Sequence, residues 1–147
     1  MLLEDKRAGQ LLLEDKGTSG VKTDFYVKPN GEAVPATGYR YMDSNNAEQA
    51  LTTGKQYATY ISSEKYNSAR QAKDALQIAD VWSDAKVRGE FDTLQVIDDI
   101  YIPTTNGNTT NILEPIANSY PQYGTGGAQQ YRVDKVIEFN NVKMIGD

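Results

Sequence analysis

Three short stretches of this 147-residue chain carry side chains suited to chemistry, and they lie far apart along it. Arg40 stands between Tyr39 and Tyr41 in a stretch with strand character. A guanidinium presents a planar fork of donors that can hold a diphosphate bidentately, and flanking aromatic rings can border a flat heterocycle. Thr59-Tyr60-Ile61-Ser62-Ser63 runs a strand into hydroxyl groups. Gly124-Thr125-Gly126-Gly127-Ala128-Gln129-Gln130-Tyr131 lets backbone approach a ligand closely just before a polar amide is presented. Taken singly, each stretch has a plainer reading: a strand Arg paired with a carboxylate, a helix cap at Ser62-Ser63, and a turn or bulge ahead of a strand. The glycine stretch is not a phosphate loop, because it lacks the Lys-Ser/Thr ending and the helix that follows one.

Composition narrows the chemistry further. The chain has neither His nor Cys, which excludes Ser-His-Asp and Cys-His machinery, disulfides, and thiolate or imidazole zinc sites. General acid–base work falls to Asp, Glu, Lys or Tyr. No acidic calcium-loop pattern is present, so no metal is expected. A net charge of −5 argues against DNA as a partner, because phosphate contacts supply most of the affinity of a nucleic-acid binder. No apolar run approaches the roughly 18 residues of a membrane span, and the N-terminus lacks the layout of a signal peptide.

The elements that must position these residues follow from periodicity and turn signals. Residues 1–20 hold the doublet Leu2-Leu3-Glu4-Asp5-Lys6 and Leu12-Leu13-Glu14-Asp15-Lys16 and read as a junction; the domain proper spans 21–147. Strands are expected over 23–27, 39–42 and 57–61, with a helix over about 46–52 capped by Asp43 or Ser44. Ser62-Ser63 with Glu64 reads as the cap of a second helix, and Ala69, Ala72, Leu76 and Ala79 recur at helical spacing. Residues 89–96, continued by 100–102, alternate as a strand; 104–111 form a Thr/Asn/Gly loop; 135–139 and 142–145 close the chain as strands. The order predicts an α+β domain with a small mixed or antiparallel sheet core and helices near the middle of the chain.

The three stretches, in this order, resemble the ADP-ribosyltransferase-like group of bacterial toxins, and locally the NAD-glycohydrolase toxins of the necrotizing type. The resemblance runs over about residues 38–147 as a sequence of features. It rests on Arg40, on Tyr60-Ile61-Ser62, and on the glycine run ending in Gln130-Tyr131. It implies an ADP-ribosyltransferase-like fold and NAD as substrate. Arg40 would hold the diphosphate, Tyr60 and Tyr131 would border the nicotinamide, and Gln130 would act at the anomeric carbon. Tyr39, Tyr41, Ser62, Gly126 and Gly127 would complete the NAD-binding surface. The chain departs from the pattern at Gln122-Tyr123-Gly124, where the family has a Phe-Gly pair, and it has no strict Glu-x-Glu. The opening 24–42 segment likewise resembles effector domains carried at the ends of large secreted proteins. This implies delivery into a target cell's cytoplasm, neutralisation by a cognate immunity protein, and a possible protein or RNA acceptor. The competing reading is a His-free ribonuclease toxin cutting tRNA or rRNA with Arg40, Lys86, Arg88 and Glu90.

Overall fold

The structure, a computed structural model, describes residues 24–104 and 113–147. The expected junction over 1–20 and nearly all of the 104–111 loop lie outside those residues. In chain order the elements are β1 (Phe25–Val27), β2 (Ala33–Pro35), β3 (Thr37–Met42), α1 (Glu48–Thr53), β4 (Lys55–Ile61), α2 (Ala69–Leu76), β5 (Val87–Asp92), β6 (Tyr131–Glu138) and β7 (Asn141–Met144). Two 3₁₀ turns, Thr93–Val96 and Pro121–Tyr123, complete the set. This is a mixed α+β fold in which every strand ladder is antiparallel, in the class expected from the sequence.

Three small sheets divide the strands. β1 pairs with β2, β5 lies between β3 and β7, and β4 pairs with β6. Alternation along β3 places Met42 in the main core beside Val87 and Phe91, and Tyr41 in a second cluster with Ala69 and Ala72 of α2. The β3–β5–β7 sheet therefore has the main core on one face and α2 on the other. The β4–β6 pair contributes Ala58, Ile61, Val133 and Ile137 to the main core. Burying each large aliphatic side chain contributes about 1.5–3 kcal/mol, and this burial does most to hold the sheets together.

Several local expectations are corrected. α1 has Ala47 at its N-cap with no side-chain cap, because Asp43 and Ser44 are engaged elsewhere. The Asp43 carboxylate accepts from Asn45 N and Asp84 N, while Ser44 N and Oγ donate to Asp84. The second helix starts six residues after Ser62-Ser63. Its cap is Ser68, whose Oγ accepts from Gln71 N at 3.1 Å. It ends at Leu76, so Ala79 is buried from a loop rather than from the helix. The 89–96 strand stops at Asp92, whose carboxylate accepts from Leu94 N and turns the chain into a 3₁₀ turn. Of the 100–102 continuation only a bridge from Tyr101 to Arg132 remains.

Asp84 fastens the loop before β5 to the loop after β3. Burial pushes its carboxyl up, but hydrogen bonds from Ser44 and Lys86 N and the charge of Lys86 outweigh this and hold it below the usual carboxylate value. A depressed folded-state pKa contributes stability above the ordinary Asp range, and that stability is lost as pH falls through the lowered value. Asp84→Asn is therefore expected to destabilise the domain by about 1–2 kcal/mol at neutral pH. The difference from wild type should shrink below about pH 4. Melts recorded across pH would check both; a constant difference at every pH would reject the assignment.

Candidate functional site

β3 and β4 meet at one antiparallel bridge, Tyr39 with Ser62, where each backbone N–H donates to the other's carbonyl at 2.7 and 2.9 Å. No ladder between them continues beyond that point among the described residues. In the gap lies a cavity of about 520 Å³, closed by the loop after α2 and by the 114–120 segment. That volume is within the range of small-molecule and cofactor sites.

Arg40, Tyr60 and Gln130, expected to act together, all border this cavity, as do Tyr39, Tyr41 and Ser62. Arg40 lies at its β3 wall. Its Nη1 donates to Tyr60 O at 2.8 Å and makes a long contact to Thr59 Oγ1 at 3.5 Å. Nε is buried with no acceptor, and the guanidinium forms no ion pair among the described residues. Burial alone lowers its pKa, the signature of a cation desolvated without a counter-ion. Such a charge costs free energy unless something anionic joins it. The carboxylates on the cavity wall are engaged: Asp43 by two backbone N–H groups, Glu114 by Ser119 Oγ.

Tyr60 is held from outside. Between the pairs Ala58–Lys135 and Tyr60–Arg132 the register slips, so Val133 and Asp134 face Thr59 alone. Asp134 takes φ 50° at this bulge. There it accepts from Arg132 Nε at 2.9 Å and from the Tyr101 hydroxyl at 2.9 Å. Arg132 in turn sits 5.1 Å from the centre of the Tyr60 ring, in cation–π range. Gln130 is anchored through N to Pro115 O at 2.9 Å and through Nε2 to Glu114 O at 3.0 Å. Its amide oxygen takes no donor among the described residues.

The other expected binding residues have structural tasks. Because side chains alternate along a strand, Tyr39 and Tyr41 flank Arg40 in sequence but pack on the α2 side of the sheet. The Tyr41 hydroxyl donates to Glu64 O and accepts from Tyr66 N, and burial pushes its pKa up to about 12. Ser62 is fully buried, with Oγ donating to Gln129 O at 2.7 Å. Tyr131 belongs to the main core, and it does not border the cavity. Nor do Gly126 and Gly127. Their N–H groups donate to Asp74 O and Ala117 O, and those of 128–130 to Ala75 O, Glu64 Oε2 and Pro115 O. The N–H groups of residues 125–130 are therefore all taken by the protein's own acceptors and do not cradle a phosphate.

The ribonuclease set does not converge. Glu90 and Arg88 pair with Tyr39 and Tyr41, whereas Arg40 pairs with Gly89 and faces the other way. Arg88 is buried, donating from Nη1 to Tyr66 O and Asn67 Oδ1, and Lys86 pairs with Asp147.

Gln77 and Trp82 escape sequence reasoning. Gln77 adopts φ 56° at the end of α2. From there its buried amide accepts from Tyr120 N at 2.9 Å and donates to Gly124 O at 3.1 Å. It pins both ends of the 120–124 segment, of which Tyr120 borders the cavity. Trp82 is the chain's sole tryptophan and stands at the cavity's mouth with Tyr120; an aromatic in a polar loop was its only signal. Among the described residues no group of three or more acidic side chains could hold a metal ion. No protein-family model, curated protein or solved structure matches this chain.

Proposed function

We propose that this domain consumes NAD, breaking the bond between nicotinamide and ribose, on an ADP-ribosyltransferase-like arrangement of its sheets. The observation that carries the reading is Arg40: a desolvated guanidinium without a carboxylate partner among the described residues, on the wall of a cavity that Tyr60 and Gln130 also border. A buried cation of this kind suits a diphosphate, which would accept from the guanidinium edge not used by Tyr60 O.

The reaction makes modest demands on a site that has neither His nor Cys. The C1′–N bond breaks with its electron pair moving onto the pyridinium nitrogen, so nicotinamide leaves neutral and needs no proton. Water adds to the oxocarbenium carbon and releases a proton to solvent, giving ADP-ribose. Positioning and charge stabilisation then outweigh strong acid–base catalysis. The amide oxygen of Gln130, which takes no donor among the described residues, can orient that water, or an acceptor hydroxyl if the product is a transferred ADP-ribose. Tyr60, with its ring fixed by Arg132, would border the departing nicotinamide. In this reading the domain is an effector carried into the cytoplasm of a target cell by a larger protein and restrained by an immunity protein that covers the cavity.

The purified domain incubated with NAD and, separately, with total RNA tests the reading. NAD loss with release of nicotinamide, and intact RNA, is the expected result; RNA cleavage with NAD untouched would replace it. Within the same assay Gln130→Ala should lower kcat by about tenfold to a hundredfold and leave KM within about threefold, because its role falls at the reacting carbon. An unchanged kcat would remove Gln130 from the site.

A further inference from the structure

We infer that Trp82, with Tyr120 and Tyr123, forms the subsite for the adenine ring of the nucleotide; this rests on the NAD reading above. Trp82 and Tyr120 border the cavity, and Tyr123 packs against both from outside its lining. The Trp82 ring meets Tyr120 and Tyr123 edge-on with centroids 5.2 and 5.1 Å apart, and the two tyrosines stack at 6.1 Å. A core would normally absorb such a cluster, yet Trp82 is 52% exposed and neighbouring Val81 is 88% exposed. None of the three aromatics belongs to either hydrophobic cluster.

Position and chemistry together identify the occupant. Trp82 and Tyr120 line the same cavity as Arg40, so a ligand in it spans an aromatic mouth and a cationic wall. Arg40 is the sole cation on the cavity wall among the described residues. A molecule that satisfies both ends carries a flat ring joined to phosphate. In NAD the nicotinamide must lie beside Tyr60 and Gln130, which leaves the adenine for the aromatic mouth. The edge-on packing braces the indole by its neighbours while about half its surface stays open for stacking. Ring stacking is tolerant of base identity, so recognition of a purine here comes from area and shape rather than from hydrogen bonds. The mouth is also held in place: Gln77 ties Tyr120 N and Gly124 O, and Asp84 ties down the loop two residues after Trp82.

Because Trp82 is the chain's sole tryptophan, its fluorescence reports on this subsite alone. The wild-type domain is titrated with ADP, AMP, ribose 5-phosphate and pyrophosphate, with excitation at the red edge of the indole band to avoid adenine absorption. Saturable quenching by ADP and AMP, and none by the two ligands without a base, is expected. In equilibrium dialysis Trp82→Leu should bind ADP about tenfold more weakly, while Trp82→Phe keeps most of the affinity; pyrophosphate binding should not change in either. Equal quenching by ribose 5-phosphate, or ADP affinity unchanged in Trp82→Leu, overturns the subsite. If Trp82→Leu fails to fold, the quenching series alone decides. The two readings fail separately. NAD consumed with an unchanged KM by Trp82→Leu removes the subsite and leaves the reaction. ADP quenching without NAD consumption leaves a nucleotide subsite and removes the reaction. A protein partner that protects Trp82, in a domain that ADP does not quench, assigns the cluster to that partner instead.

Discussion

Arg40→Lys is expected to lower kcat/KM for NAD by about tenfold to over a hundredfold while the domain stays folded. The guanidinium divides its donors: Nη1 holds Tyr60 O at 2.8 Å, and Nη2 takes no acceptor among the described residues. A lysine ammonium offers a point charge where a planar fork is needed, so either the strand contact or the ligand contact is forfeited. Each charge-assisted bond lost costs about 1.5–3 kcal/mol, which sets the range given. A second variant separates function from structure. Arg40→Met removes a largely desolvated charge that has no counter-ion among the described residues, and such replacements are commonly neutral or stabilising. Its melting temperature should lie within a few degrees of wild type, or above it, with activity abolished. Loss of activity accompanied by a collapse of the fold would make Arg40 a structural residue; full activity in Arg40→Lys would dismiss the diphosphate role.

Gly126→Ala is expected to damage the fold strongly for so small a substitution. A Cβ there would lie 2.4 Å from Ala117 O and 2.8 Å from Gln77 Nε2, at a residue with φ +80°. Neither neighbour can yield easily. Ala117 O accepts from Gly127 N, and the Gln77 amide holds the 120–124 segment. Strain and broken contacts together should cost about 2–4 kcal/mol, and Gln130 should shift with the segment, lowering activity as well. Gly127→Ala provides the control. It has φ +98° but open space around the added methyl, so only the backbone penalty of about 1 kcal/mol applies. Denaturant melts of the two variants should therefore differ by about 1 kcal/mol or more in that order; equal losses would mean that crowding at Gly126 is relieved by loop movement.

The contrast between these glycines shows where the sequence is legible. A glycine run announces close approach but not what approaches. Here it is Asp74 O and Ala117 O, contributed by segments about 50 and 10 residues earlier, which no local pattern reveals. Ser62-Ser63-Glu64 misled for a related reason. Its composition is that of a helix cap, but Ser62 Oγ, Ser63 Oγ and the Glu64 carboxylate are all engaged by Gln129, leaving the capping to Ser68. Other features were readable in principle. Period-two alternation alone separates Tyr39 and Tyr41 from Arg40 on a strand; the pattern places β3 and β4 with small errors at their ends, whereas it carries β5 past Asp92 into what is a 3₁₀ turn. Arg40, Tyr60 and Gln130 could be nominated by type and order; their meeting at one cavity depends on β4–β6 pairing across some 70 residues.

That pairing governs when the site can exist. As the chain is synthesised, β3 finds β5 about 50 residues later, but β4 stays without its sheet partner until β6 is made, and β5 lacks its second neighbour until β7 is made. Connections of this span close slowly, because the chain must bring distant segments together before any contact rewards it. The wall bearing Tyr60 and the wall bearing Gln130 are thus joined at nearly the last step of folding. A nascent chain short of β6 has Arg40 but not the wall that Gln130 completes, so the cavity and the completed fold arrive together.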